Sequence, residues 1–303
     1  MAYPSSPFAV VVRVVTLAAL LGTSLAARSA EAVRPPFDAV AFQRELRAAP
    51  LVEVTGVISA RGVAGVMSKG ETQYTIMFGL EPWRVVGGEL ETSHLNVRHL
   101  GPQERIHALR AELPPYSVLR IRARVLTKSA FPNPQAWLEE IVGFETADAE
   151  LARAAEAAGL PVTFDDPLLG RLTLLKQIDV FEGTARWGGM PAAVHVEGGT
   201  EREAAPALAT ARALWRDESG WRRRIRDYVV AQMLPLKNEA WLSDDETELD
   251  AVTFANRLRL ETIAVYPDGR FEFWFLDDDM FGGHAIQVRG DLEAGPTSAN
   301  LAG

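Results

Sequence analysis

The stretch FWFLDDDMFGGHAIQVRG, residues 273–290, brings consecutive carboxylates within a few residues of a histidine. Asp277 and Asp279 are two apart and project the same way if the loop begins extended. His284 follows on the far side of the glycine pair. A carboxylate and an imidazole so placed can exchange a proton with substrate, or hold a hard divalent cation that activates water, which is the chemistry of a hydrolase. The same residues also suit a turn. RFEFWFL and AIQVRG both alternate, with Phe271, Phe273 and Phe275 on one face of the first and Glu272, Trp274 and Leu276 on the other. Residues 277–283 then join adjacent antiparallel strands, where Asp bonds the local backbone and Gly accepts positive φ. The spacing of an EF-hand, with its Glu at the twelfth position, is absent.

Two further groups have binding chemistry. In KNEAWLSDDE, Asn238, Glu239 and Trp241 lie where a helix gives way to a loop, and polar groups there are free to converge on a ligand. The alternative use is a capping Asn238, a core Trp241 and a solvated acidic run. Arg120, Arg122 and Arg124 alternate on one strand face and would suit an anionic polymer or a sugar acid. Glu139 and Glu140, on the next strand, offer them cross-strand partners instead. The histidines are scattered: His94 and His99 face opposite ways, and His195 points outward between Val194 and Val196. Five of the seven tryptophans follow residue 180; they can line a sugar groove or fill a core. No H-E-x-x-H, G-x-S-x-G, Walker or dinucleotide fingerprint appears, so no cofactor is expected and a binding or interaction role ranks above catalysis.

These groups need a frame, and the chain supplies one in pieces. Arg13 precedes an apolar run that passes into small residues, and Ala30-Glu31-Ala32 offers an A-x-A cleavage site. Residues 1–32 read as a secretory signal peptide, with no stable membrane insertion after cleavage and a periplasmic or secreted destination. The chain has no Cys, which excludes a lipidated cysteine, thiol catalysis and zinc–thiolate sites. Its formal net charge is −9, and losing Arg13, Arg28 and Glu31 makes the remainder slightly more acidic. Such a surface repels phosphate backbones, so general nucleic-acid binding is not expected. The partner is an unidentified protein or carbohydrate.

Residues 33–146 read as a small β-barrel domain. VEVTGVISA, QYTIMFGL and HLNVRHL are strands, PQERIHALRAEL a helix between prolines, and SVLRIRARVL and AWLEEIVGF two more strands. Three strands, a helix and two strands is the order of an oligonucleotide/oligosaccharide-binding (OB) barrel. Residues 147–159 form an Ala-rich connecting helix. Residues 160–303 read as an α+β domain with an antiparallel sheet and two to three helices. The first long helix should bury Ala205, Leu208, Ala209 and Leu214, and the second Trp221, Ile225, Val229 and Met233.

The stretches ARWGG, DESGWRRRIRDYVVAQML, LKNEAWLSDDE and FANRLRLETIAVYPDGRFEFWFLDDDMFGGHAIQV carry a resemblance. Over roughly residues 164–303 the chain resembles the bacterial family of domain of unknown function 2262, departing from its usual loop at Gly282. That resemblance implies a shared fold and no defined activity.

Overall fold

The computed structural model describes residues 38–243 and 245–302; the leader expected over residues 1–32 lies outside them. Period-two alternation builds the first half into strands β1 (Leu51–Ile58), β2 (Ala64–Val66), β3 (Tyr74–Val85), β4 (Leu95–Gly101), β5 (Val118–Leu126) and β6 (Gln135–Phe144). β1 pairs with β3 and β5, β3 with β4, and β5 with β6, all antiparallel, while β4 and β6 run parallel. The circuit β1–β3–β4–β6–β5 closes a five-stranded barrel of OB-type connectivity, with helix α2 (Gln103–Glu112) between β4 and β5 as its sequence order implied. β2, a three-residue edge strand on β3, is too short to show alternation in the sequence. Inward residues Val54, Ile76, Leu80, Val97, Leu119 and Ile121 fill the barrel. At the closure a Cβ on Gly56 would come within 2.7 Å of the Trp83 Cβ, so only glycine lets β1 and β3 approach there.

Two helices pack outside. α1 (Ala39–Ala48) buries Phe42 and Leu46. α3 (Ala149–Gly159), capped by the Asp148 carboxylate on the Glu150 and Leu151 N–H groups, lays Leu151 and Ala155 on Val57 and Val118 of the barrel.

The second half is an eight-stranded sheet in the spatial order β14-β13-β12-β11-β10-β9-β8-β7. Its strands are β7 (Thr163–Asp166), β8 (Gly170–Leu175), β9 (Val180–Trp187), β10 (Met190–Glu197), β11 (Arg259–Val265), β12 (Arg270–Leu276), β13 (Ala285–Asp291) and β14 (Gly295–Ala302). Neighbours are antiparallel except β10 and β11, which run parallel. A parallel pair needs a crossover, supplied by α4 (Glu201–Arg216), α5 (Glu218–Ala240) and α6 (Ala251–Arg257). The whole is therefore mixed α+β, a barrel followed by a sheet with helices.

The helices gather on the sheet face bearing Val194, Ile263, Phe273, Ile286 and Val288. α5 buries Trp221, Ile225, Val229 and Met233 as its spacing predicted. α4 corrects the prediction. It buries Ala204, Ala207, Leu208, Ala211 and Leu214, while Ala205 and Ala209 are exposed. An Ala-rich helix has little hydrophobic contrast to fix its phase, and packing against the sheet decided it.

Candidate functional site

The loop between β12 and β13 turns on one carboxylate. Asp277 is 5% exposed, and its Oδ2 accepts the N–H groups of Phe281 at 2.8 Å and Gly283 at 3.1 Å. Its Oδ1 accepts that of Asp279 at 3.3 Å. Around this hub Asp278 and Asp279 take φ of 48° and 61°, and Gly282 and Gly283 also lie at positive φ. The fold drives Met280 and Phe281 inward, to 1% and 0% exposure. His284 places Nδ1 2.7 Å from the Phe281 carbonyl, so that nitrogen donates. Asp279 itself is exposed. Asp277 and His284 thus both hold the Phe281 backbone, one taking its N–H and the other bonding its carbonyl, while Asp279 faces solvent.

The second sequence-selected stretch packs against the same loop. The Trp241 ring lies 5.8 Å from Phe281 and 5.5 Å from His284, centroid to centroid, edge-on to both. Asn238 clamps Leu249 with both ends of its amide, Nδ2 donating to the carbonyl at 2.9 Å and Oδ1 accepting the N–H at 3.0 Å. Glu239 is exposed on the last turn of α5. Lys237, 1% exposed, donates to the Trp241 carbonyl at 2.7 Å and to the Glu246 carboxylate. Arg257 lies 3.5 Å from Glu246 and 3.2 Å from Asp278, linking the two stretches. The Lys237 hydrogen bond holds the Glu246 carboxyl below the ordinary carboxylate range, helped by the Ser243 N–H and Arg257. Burial of the lysine is invisible in the sequence, because it depends on a loop folding back over the helix end.

On the barrel, Arg120 lies 3.6 Å from Glu145 and 3.8 Å from Glu53, Arg122 3.0 Å from Glu140 and Arg124 2.7 Å from Glu139. The three arginines form a stripe on β5, as their spacing requires, and each meets a carboxylate across the sheet. Among the described residues no group of three or more His, Asp or Glu is placed to hold a metal ion, and no helix is long and apolar enough to cross a membrane.

A different set of residues, missed in the sequence, assembles on the sheet face turned away from the helices. Strand register aligns Glu182, His195, Ala264, Glu272, Arg289 and Ser298 in one lateral row. Thr184, Ala193, Thr262, Trp274, Gln287 and Asn300 form the next. Glu272 is the hub. It accepts from Trp274 Nε1 at 3.1 Å, Gln287 Nε2 at 2.8 Å and Arg289 Nε at 3.2 Å. Burial, with Glu272 and Glu197 nearby, pushes the Tyr266 phenol well above its ordinary range, and Glu272 also takes its hydroxyl. His195 Nε2 lies 2.9 Å from Glu182. The one signal in the sequence was the alternation that put Glu272 and Trp274 together; the remainder comes from other strands.

Residues 166–301 match a family described as an uncharacterized protein conserved in bacteria (DUF2262), so the resemblance seen in the C-terminal half holds over that segment. Residues 40–158 match a second family, a domain of unknown function (DUF7021). The curated proteins gave no match. Among solved structures, a chain from "Structure and Conformational Change of a Replication Protein A Heterotrimer Bound to ssDNA" is 9% identical, with a TM-score of 0.25. The alignment covers 50% of this chain and 40% of that one.

Proposed function

We propose that this chain is an exported bacterial binding module, periplasmic or secreted, whose working surface is the helix-free face of the second sheet. The observation that carries the reading is the pair of lateral rows. A large sheet shielded by helices on one side presents aligned indole, amide, hydroxyl and paired charged groups on the other. Holding is favoured over hydrolysis because the Asp277 carboxylate is committed to three backbone N–H groups. The barrel arginines, each beside a carboxylate, offer little to an anionic polymer. Export rests on the arginine, apolar run and A-x-A order of residues 13–32.

Two measurements test the reading. N-terminal sequencing of protein made in its native host should begin near Val33, and full-length precursor found solely in the cytosol would refute export. Hydroxyl-radical footprinting of the mature chain mixed with isolated bacterial envelope material should show Trp274 and His195 protected, with Trp137 on the barrel unchanged. Protection confined to the barrel, or none at all, would refute the choice of face.

A further inference from the structure

We propose that the helix-free face takes a neutral carbohydrate chain, with Trp274 as its stacking platform. The proposal rests on that face being the working surface and names what lies on it. The second row runs Thr184, Ala193, Thr262, Trp274, Gln287, Asn300 across six strands. At about 4.8 Å between neighbouring strands it extends roughly 24 Å, long enough for several sugar rings in line. Its outward chemistry is the Asn300 amide, the Thr184 and Thr262 hydroxyls and one indole, the Gln287 amide being buried and bonded to Glu272. Side-chain amides and hydroxyls both donate and accept, which is what a sugar hydroxyl also does. An indole offers its apolar face to the C–H side of a pyranose.

The neighbouring row argues for a ligand without charge. Its carboxylates are already taken: Glu182 stands 2.9 Å from His195, and Glu272 holds Arg289, Trp274 and Gln287. A cation would have to displace a bound partner. An anion would face both carboxylates on a chain of net charge −9. The bond from Nε1 to Glu272 also fixes the half-buried Trp274 ring before any ligand arrives, so little side-chain freedom is lost on binding. A protein partner fits less well. Protein interfaces centre on clustered aromatic and apolar anchors, and this face supplies one indole and the Tyr266 phenol among polar groups.

The test is calorimetric titration of the mature chain with cellohexaose, xylohexaose and chitohexaose, with an oligogalacturonate as the charged control. At least one neutral oligosaccharide should bind, with the oligogalacturonate silent. Trp274→Ala should weaken binding about tenfold. Asn300→Ala, at an exposed position, should weaken it by a smaller factor, and Trp274→Phe should fall between parent and alanine. Unchanged affinity in both Trp274→Ala and Asn300→Ala would overturn the placement. Failure of every neutral oligosaccharide, or tighter binding of the oligogalacturonate, would overturn the carbohydrate class. In those cases the footprinting on envelope material separates the two levels, since protection of Trp274 there keeps the face and removes only the sugar.

Discussion

Replacing Asp277 by alanine isolates the one side chain that organises the β12–β13 loop. Its carboxylate accepts three N–H groups at 2.8, 3.1 and 3.3 Å. A hydrogen bond to a charged acceptor contributes about 1.5–3 kcal/mol, and a buried N–H left without a partner costs about 1–3 kcal/mol. The Phe281 N–H is buried with its residue, the Gly283 N–H is nearer solvent, and the 3.3 Å bond counts least. The effects overlap, so the expected loss is about 3–4 kcal/mol rather than the full sum. Loosening the turn also frees Met280 and Phe281 from the core they enter. Asp277→Asn keeps one acceptor oxygen and should lose roughly half as much. Asp279→Asn, at an exposed position, should stay within about 0.5 kcal/mol of the parent. Thermal unfolding followed by tryptophan fluorescence reads this well, because Trp187, Trp215, Trp221, Trp241 and Trp274 all lie in the second half. A loss of this size lowers the midpoint by on the order of 10 °C. An Asp277→Ala protein melting within about 2 °C of the parent, or no less stable than Asp279→Asn, would refute the hub.

Other perturbations give equally plain outcomes. Glu246 has a folded pKa below its unfolded value, so its contribution is complete above about pH 4.3 and disappears as pH falls through the folded pKa. The stability gap between the parent and Glu246→Gln, measured by urea unfolding, should therefore be steady near neutrality and shrink in acid; a gap that widens in acid contradicts the assignment. Exchanging Arg120, Arg122 and Arg124 together for Gln should leave heparin retention at physiological salt unchanged, and loss of a salt-sensitive interaction would show the stripe recruits polyanions. A fragment of residues 160–303 should unfold cooperatively by itself, since its buried cluster draws on no barrel residue. A fragment without a cooperative transition, beside a mature chain that has one, would place the boundary elsewhere.

Local patterns carried most of the architecture. Alternation in VEVTGVISA, QYTIMFGL and SVLRIRARVL marked barrel strands, and the helix between prolines set their order. Closure through β1 and β3 was implied by that order alone; the Gly56 approach that permits it belongs to partners far away in the chain. The Asp-rich loop was readable as a turn because Asx bonding is local. Trp241 meeting Phe281 and His284 was not, since residues on opposite sides of α6 cannot be paired by spacing. Ala205 and Ala209 were misplaced where composition gave no contrast. The two lateral rows were the least legible feature, because each strand contributes only one residue to each row and strand order creates the rest.

The parallel pairing of β10 with β11 also sets an entropic cost. β7 to β10 and β11 to β14 are runs of neighbouring antiparallel strands, each able to zip from contacts close in the chain. The seam between them joins Ala193 to Thr262 and Val196 to Val265 across three intervening helices, so it carries the largest loop-closure cost in the sheet. α4, which touches both β10 and β11, is the clasp across that seam. Ala193, Thr262 and Ala264 stand on that seam. The middle of the helix-free face thus depends on the longest chain closure in the sheet.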